Sequence, residues 1–227
     1  MKTAKYIISF LLILLCAVSL CACKKKEKRI TDETIETLRE PTVMITVGEM
    51  RASGVVVKNT DDKITIISVA HLLDGYDQGI VTFLSGKVGF ADVIYCDNAS
   101  DVAILEINKE NFTSDFAAAL KAADINLDKY EALKDGDEVT LIGSSTAVAG
   151  NVFKGTFKAK DYYVPEFDQY LLYLYCDALS GMSGAGCFDA EGNLLGLVTA
   201  ASDSGEVLCI PIKDFIDRME AVSNDKN

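Results

Sequence analysis

Short apolar runs, most of them rich in β-branched residues, dominate the chain from Thr42 onward, and Gly, Asp and Asn break them apart. Runs of about four to eight such residues between turn residues are typical of strands in a sandwich or barrel. The predicted strands are 42–47, 54–57, 64–69, 80–84, 88–95 and 102–107 in the first half, and 139–142, 151–159, 170–177, 194–200 and 207–212 in the second. The sequence therefore predicts an all-β protein in two halves.

Two helical segments accompany the strands. An Ala-rich stretch at 116–123 separates the two halves. At the end of the chain, apolar residues recur at three- and four-residue steps, which is the pattern of an amphipathic helix. These residues are Ile212, Phe215, Ile216, Met219 and Val222. We expect this C-terminal helix, over about 212–222, to pack against the second half.

The first 22 residues have the layout of a secretory signal, because two Lys residues precede an apolar run from 6 to 18 and small residues follow. The run Leu20-Cys21-Ala22-Cys23 resembles a bacterial lipobox, in which cleavage occurs before a Cys that carries diacylglycerol. The alternative is an uncleaved transmembrane anchor, but the run is near the lower limit of the roughly 20 apolar residues that span a bilayer. We therefore expect lipidation at Cys23, with 23–40 as a tether.

Charge excludes one class of partner. The chain has 22 basic and 34 acidic residues and a net charge of −12, so a sequence-independent grip on nucleic acid phosphates is not expected. A basic cluster after Cys23 is the exception: Lys24, Lys25, Lys26, Lys28 and Arg29. Beside a lipid anchor, such a cluster gains about 1 kcal/mol per charge from anionic headgroups. The basic cluster is equally consistent with a solvated tether.

Cysteine and histidine usage argues against a metal site. Three of the seven Cys fall in the signal region, and the other four show no CxxC spacing: Cys96, Cys176, Cys187 and Cys209. Each of these four is expected to be a small buried hydrophobe or a member of one disulfide pair. The chain has a single His, which leaves little room for a His-rich metal site. No cofactor is predicted.

Three residues have the chemistry of a nucleophilic site. His71 follows the apolar run 64–70, Asp101 precedes the run 102–105, and Ser183 lies among three Gly residues. Taken singly, they read as a capping or core His, a turn Asp and a Gly-rich turn. Taken together, they supply a hydroxyl, a base that accepts its proton, and an acid that fixes the tautomer of the base.

The surrounding motifs carry a family resemblance. They are Ala52-Ser53-Gly54-Val55-Val56, Ser68-Val69-Ala70-His71, Ser100-Asp101-Val102-Ala103-Ile104-Leu105, and Gly181-Met182-Ser183-Gly184 followed by the hairpin 188–199. The chain thereby resembles a chymotrypsin-fold serine protease, and most closely the protease domain of the bacterial HtrA (Deg) family. The order His, Asp, Ser is that of this clan. An α/β-hydrolase has the order Ser, Asp, His and needs Gly-x-Ser-x-Gly, which Ala185 breaks.

The resemblance implies a protease domain over 41–222, with a first barrel at about 41–115 and a second at about 130–212. His71 is then the general base, Asp101 orients it and Ser183 is the nucleophile. The resemblance further assigns backbone N–H groups and substrate contacts. The backbone N–H groups of Gly181 and Ser183 form the oxyanion hole, the Thr199 hydroxyl lies near the buried Asp, and Ala200 and Ala201 pair with an extended substrate.

Departures from the family pattern limit the analogy. Met182 stands where trypsin-like zymogens have Asp, so activation by a newly cut N-terminus has no partner here. Ala185-Gly186-Cys187 replaces the usual Gly-Pro, which leaves the resting loop conformation open. No PDZ domain is expected. Asp177 has the spacing of the acid that selects Lys or Arg in trypsin-like enzymes, but HtrA-like loops favour small aliphatic residues, and a solvent or hinge Asp is an equal alternative.

The sequence therefore predicts a lipid-anchored serine endopeptidase that acts on extracytoplasmic proteins at the outer face of a bacterial membrane. The rival class is a catalytically silent, lipid-anchored binding module on a protease scaffold. An esterase with the same triad is a further alternative, which a comparison of casein with short-chain esters would separate.

Overall fold

The structure, a computed structural model, describes residues 30–145, 148–177 and 181–225. The predicted signal segment, Cys23 and the basic cluster lie outside the described residues. The helices are α1 (Asp32–Arg39), α2 (Ser114–Ala119), α3 (Leu127–Glu131) and α4 (Ile212–Asp225), and single 3-10 turns occupy Ala70–Leu72 and Lys109–Asn111.

Twelve strands form two closed antiparallel barrels. The first barrel contains β1 (Thr42–Val47), β2 (Met50–Asn59), β3 (Lys63–Val69), β4 (Gln78–Phe83), β5 (Val88–Asp97) and β6 (Val102–Asn108), in the order β1-β2-β3-β6-β5-β4. The second contains β7 (Glu138–Ser145), β8 (Val148–Val164), β9 (Gln169–Cys176), β10 (Gly186–Asp189), β11 (Leu194–Ala201) and β12 (Glu206–Pro211), in the order β10-β11-β12-β9-β8-β7. The predicted fold of two β-barrels with a C-terminal helix is confirmed.

Strand β3 contributes side chains to two hydrophobic cores. Successive side chains of a strand lie on opposite faces, so a strand that is buried on both faces is apolar on both. Ile64 and Ile66 belong to the core of the first barrel, whereas Ile67 and Val69 join the larger core that includes the second barrel. The end of β3 therefore lies at the junction of the barrels, and His71 follows two residues later.

Three elements were not predicted from the sequence: α1, α3 and β10. Residues 32–39, assigned above to the tether, form α1, which Thr31 caps by accepting a hydrogen bond from the Thr34 N–H at 3.2 Å. Ile35 and Leu38 of α1 are buried in the core of the second barrel. Strand β10 was not predicted, because its four residues include a Gly and a Cys and lack a β-branched run.

The four described cysteines are free thiols. Cys176, Cys187 and Cys209 are buried, as expected of small hydrophobes. Cys96 is exposed, so the expectation of burial is wrong at this position. It lies on β5, and its Sγ is 3.9 Å from the carbonyl oxygen of Ala70.

Within the described ranges, no helix is long and apolar enough to cross a membrane. Nor do three or more His, Cys, Asp or Glu side chains of that part of the chain gather in a group that could hold a metal ion.

Candidate active site

His71 and Asp101 are presented by neighbouring strands. Strands β3 and β6 pair antiparallel with Val69 opposite Val102, so the end of one strand meets the start of the other. His71 lies in the 3-10 turn after β3, and Asp101 directly precedes β6. The Ala70 N–H donates to the Asp101 carbonyl at 3.2 Å and ties the two turns together.

Asp101 has a backbone conformation that few residues adopt. Its φ is +54°, in the left-handed region that Asp and Asn tolerate better than other non-Gly residues. Such conformations cost free energy and persist where the surrounding contacts impose them. Here the contacts are with His71, whose backbone N–H donates to Asp101 Oδ1 at 2.8 Å.

The Asp101 carboxylate collects donors from both barrels. His71 Nδ1 lies 3.0 Å from each carboxylate oxygen, and the Thr199 hydroxyl donates to Oδ2 at 2.6 Å. Burial alone raises the pKa of Asp101, but the hydrogen bonds from His71 and Thr199 outweigh it and hold that pKa below its ordinary value. An ionised carboxylate only accepts, so Nδ1 carries a proton and Nε2 of the neutral ring is free to act as a base.

Ser183 lies on a loop that is hydrogen-bonded to both barrels. The Ser53 N–H of β2 donates to the Ser183 carbonyl at 2.8 Å. Its neighbour Gly184 donates to the Val198 carbonyl at 2.7 Å and has a φ of +82°. Gly is required at 184, because an added Cβ would overlap the carbonyl oxygen of Ser53. The loop thus brings Ser183 to the same junction of barrels that His71 occupies.

Ser183 is half-buried, and the side chain of His71 is 42% exposed. In the described part of the chain, the hydrogen bonds of the His71 ring go to Asp101 and none joins it to Ser183. Such contacts are often long in a free enzyme and shorten when substrate binds. Gly181, the other residue assigned to the oxyanion hole, is exposed and has a φ of +87°.

Ala200 and Ala201 occupy the end of β11, where one edge is open. Their inner neighbours on β12 are Leu208 and Val207. On the other side, β10 pairs with β11 only as far as Leu197, and no further described strand continues that edge. In the described part of the chain, no strand pairs with the outer edge of residues 199–201.

Asp177 is the predicted site residue that the structure does not bring to this group. It is exposed and lines a cavity of about 810 Å³ at one end of the second barrel, together with Thr156, Ser204 and Gly205. Neither His71 nor Ser183 is among the described residues that line this cavity. The geometry gives Asp177 no contact with the candidate catalytic residues.

The family model of the trypsin-like peptidase domain matches residues 52–197. The chain belongs to the trypsin-like peptidase family. It has the fold of serine endopeptidases, and its relatives are serine endopeptidases.

Relatives of this trypsin-like peptidase include HtrA- and DegP-like proteases. It is 26% identical over 167 residues to a probable periplasmic serine endoprotease DegP-like protein of Halomonas elongata. This alignment covers 70% of this chain and 33% of the relative. It is 27% identical over 162 residues to the serine protease Do-like HtrB of Bacillus subtilis, covering 67% and 33%. The chain therefore spans about a third of the length of these relatives.

Solved structures share the fold of this peptidase. The serine endoprotease from Yersinia pestis has a TM-score of 0.69 at 22% identity, covering 86% of this chain and 67% of that one. An inactive form of Rv3671c from M. tuberculosis H37Rv has a TM-score of 0.67 at 16% identity, covering 87% and 94%. At these identities the similarity concerns the fold alone.

Sequence reasoning missed two buried residues of this trypsin-like peptidase. Ser53 and Ser68 are fully buried, and the Ser68 hydroxyl donates to the Ser53 carbonyl at 2.7 Å. Both stand in otherwise apolar or small-residue runs. A single hydroxyl in an otherwise apolar strand indicates a buried hydrogen bond, because buried polar groups need a partner. This pattern is the one sequence signal that pointed to Ser53 and Ser68.

Proposed function

We propose that this chain is a serine endopeptidase that hydrolyses peptide bonds of extracytoplasmic proteins and is anchored by lipid on Cys23 to the outer face of a bacterial membrane. One observation carries the catalytic part. The Asp101 carboxylate accepts hydrogen bonds from the His71 ring and from the Thr199 hydroxyl, which fixes the tautomer that a general base requires.

In the proposed reaction, Ser183 Oγ attacks the carbonyl carbon of the scissile peptide and His71 Nε2 accepts the hydroxyl proton. The carbonyl oxygen becomes negatively charged and is stabilised by the backbone N–H groups of Gly181 and Ser183, each such donor being worth about 10²–10³ in rate. Asp101 stabilises the imidazolium.

The C–N bond of the intermediate then breaks, and the imidazolium gives its proton to the leaving amine. Water attacks the remaining ester on Ser183 and passes its proton to the same Nε2. The carboxyl product leaves, and the serine hydroxyl is restored. Each step uses one base and one nucleophile, so loss of either should abolish turnover.

The open edge at 199–201 supports a peptide substrate in particular. An extended chain that adds to a strand edge gains main-chain hydrogen bonds whatever its side chains are. Ala200 and Ala201 are small, so they leave room for the substrate backbone to approach. A short ester has no backbone to pair in this way.

The activity is tested with the full-length protein on casein, with Ser183→Ala as the variant. A fluorophosphonate probe should label Ser183, and Ser183→Ala should lose both labelling and casein cleavage. Ser85→Ala, in the exposed turn between β4 and β5, is the matched control and should keep both. A wild type that binds casein without cleaving it would favour the binding module, and cleavage of short esters alone would favour the esterase.

The anchor is tested separately in a bacterial host. Cys23→Ser should abolish lipid attachment and release the protein from the membrane fraction, whereas Cys21→Ser should leave both intact. Two or three acyl chains are needed for stable retention, because a single chain binds only marginally. An unmodified Cys23 at the start of the mature chain would contradict the anchor without affecting the assignment of the triad.

A further inference from the structure

Ser53 is a buried junction between three parts of the molecule. Its N–H donates to the carbonyl of Ser183, and its carbonyl accepts from the hydroxyl of Ser68. Its hydroxyl accepts from the N–H of Ser144 on β7 at 2.7 Å and lies 3.3 Å from the Ser144 carbonyl. Each polar group of this one residue thus holds a different element.

These contacts form a path from the loop of the nucleophile to the strand that precedes the base. Ser68 lies on β3, three residues before His71. In the pairing of β3 with β6, it stands opposite Ala103, two residues after Asp101. The path from Ser183 through Ser53 to Ser68 contains only two hydrogen bonds, of 2.8 and 2.7 Å. The Ser183 loop and the strand that carries His71 are therefore both tied to one residue of β2.

The packing around the junction leaves no room for adjustment. Ser53 and Ser68 have no exposed surface, and Ser144 is 2% exposed. An added Cβ at Gly184 would lie 3.0 Å from the Ser68 hydroxyl, and one at Gly143 would lie 2.7 Å from the Ser53 hydroxyl. Water cannot replace a lost hydroxyl in so tight a site, so its partner must shift or remain unpaired.

We propose that Ser53 and Ser68 are positioning residues that hold Ser183 and His71 at a fixed separation across the two barrels. The inference rests on the proposed function of those two residues. Neither Ser53 nor Ser68 touches substrate. Their effect is on the distance over which the proton passes, and displacement of reacting groups by about 1 Å can cost 10²-fold in rate.

The test compares Ser68→Ala with Thr42→Val in the full-length protein. Thr42 is also buried, and its hydroxyl donates to the Leu38 carbonyl at 3.1 Å, away from the junction. The readouts are the melting temperature, the rate of fluorophosphonate labelling, and kcat and KM for a fluorogenic peptide chosen from the casein cleavage sites.

We expect Ser68→Ala to lower kcat and the labelling rate by roughly 10- to 100-fold with KM within about twofold. Thr42→Val should lower the melting temperature to a similar extent and leave kcat within about twofold. Ser53→Ala removes only the hydroxyl that binds β7 and keeps both backbone hydrogen bonds of the path, so it should lower kcat less than Ser68→Ala does. A Ser68→Ala protein that melts like Thr42→Val and retains kcat would overturn the proposal.

A second readout separates this inference from the proposed function. The chain contains one His, so the imidazole signals in an NMR spectrum of the untagged protein belong to His71. These signals should move in Ser68→Ala and stay in place in Thr42→Val, whether or not the protein cleaves peptides. A wild type without hydrolysis or labelling would overturn the proposed function, whereas unmoved imidazole signals in Ser68→Ala would overturn the positioning role.

Discussion

The Thr199 hydroxyl, on the second barrel, donates a 2.6 Å hydrogen bond to Oδ2 of Asp101, on the first. Asp101 is thereby bound from both barrels, because His71 approaches the same carboxylate from the first. The orientation of the His71 ring consequently depends on the second barrel as well as on the strand that carries it. This relationship makes Thr199 a sensitive position for activity even though its hydroxyl contacts no reacting atom.

Thr199→Val should lower kcat/KM by roughly 10- to 100-fold, since a hydrogen bond to a charged group is worth about 1.5–3 kcal/mol. The substitution keeps the shape of the side chain and removes only the donor. Thr46→Val, on the half-buried face of β1, is the control and should have little effect. The measurement is peptide hydrolysis at pH 7.5, together with melting temperatures to show that both variants are folded. Equal activity of the two variants would show that the Thr199 donor is dispensable.

The pKa of Asp101 gives a pH dependence with a definite sign. Burial raises this pKa, and the hydrogen bonds from His71 and Thr199 more than offset the rise, so the folded pKa lies below the unfolded value of about 3.9. A depressed carboxylate pKa stabilises the folded state above the unfolded pKa, and that stability is lost as the pH falls through the folded pKa.

We therefore expect the loss of stability caused by Asp101→Asn to be largest above about pH 4 and to shrink below it. Urea unfolding of the wild type and the variant, at a series of pH values from neutral down to the acid limit of folding, measures this difference. A difference that grows as the pH falls would mean that the carboxylate gains nothing from its donors.

The sequence signals of the candidate catalytic residues are local, because His71, Asp101 and Ser183 each follow or precede an apolar run or lie in a Gly-rich turn. Short apolar runs between turn residues predicted the two barrels, which the structure confirms. Ser53 and Ser68 could not be assigned, because their partners lie 15 to 130 residues away in the chain and nothing in the intervening sequence encodes the contact. Only closure of the barrels brings these groups together.

Helix α1 and strand β10 were missed for related reasons. The two buried positions of α1, Ile35 and Leu38, are too few to give a clear apolar stripe within eight residues. In β10, Gly186 and Cys187 carry no β-branched signal, yet the strand is fixed by pairing with β7 and β11 on either side. In both cases tertiary contacts outweigh local preference.

Substitutions at two glycines with nearly the same φ distinguish the cost of a left-handed backbone from the cost of steric overlap. Gly184 has a φ of +82° and Gly86 a φ of +80°, but an added Cβ meets the Ser53 carbonyl at the first and nothing within 4 Å at the second. Gly86→Ala should cost about 1–2 kcal/mol of unfolding free energy, the usual penalty of the left-handed conformation.

Gly184→Ala should cost clearly more than that and should also abolish casein cleavage, because the Ser183 loop must move away from β2. Urea unfolding and casein cleavage of both variants test the contrast. Similar stability losses in the two variants would mean that the loop accommodates a Cβ without moving.

The free cysteines offer a test of how firmly the second barrel is closed. Burial, with the neighbouring Cys187 and Asp177, raises the pKa of Cys176 to about 12, and burial raises that of Cys209 well above its ordinary value. Cys96 is exposed, although partial burial and the carboxylates of Asp74, Asp101 and Asp97 raise its pKa too. Only the thiolate reacts with an alkylating agent, so exposure and a low pKa are both needed for fast modification.

We expect iodoacetamide at pH 8 to modify Cys96 before the three buried thiols, and to do so more slowly than it modifies free cysteine. Peptide mapping by mass spectrometry after timed quenching gives the rate at each position. In urea all four sites should react at similar rates, which is the internal control for reagent access. Because Cys96 Sγ lies 3.9 Å from the carbonyl of Ala70, next to His71, the modified protein should also cleave casein more slowly, and Cys96→Ala should be resistant to this inactivation. Modification of Cys176 or Cys209 in the native protein at the rate of Cys96 would show instead that the second barrel opens readily to solvent.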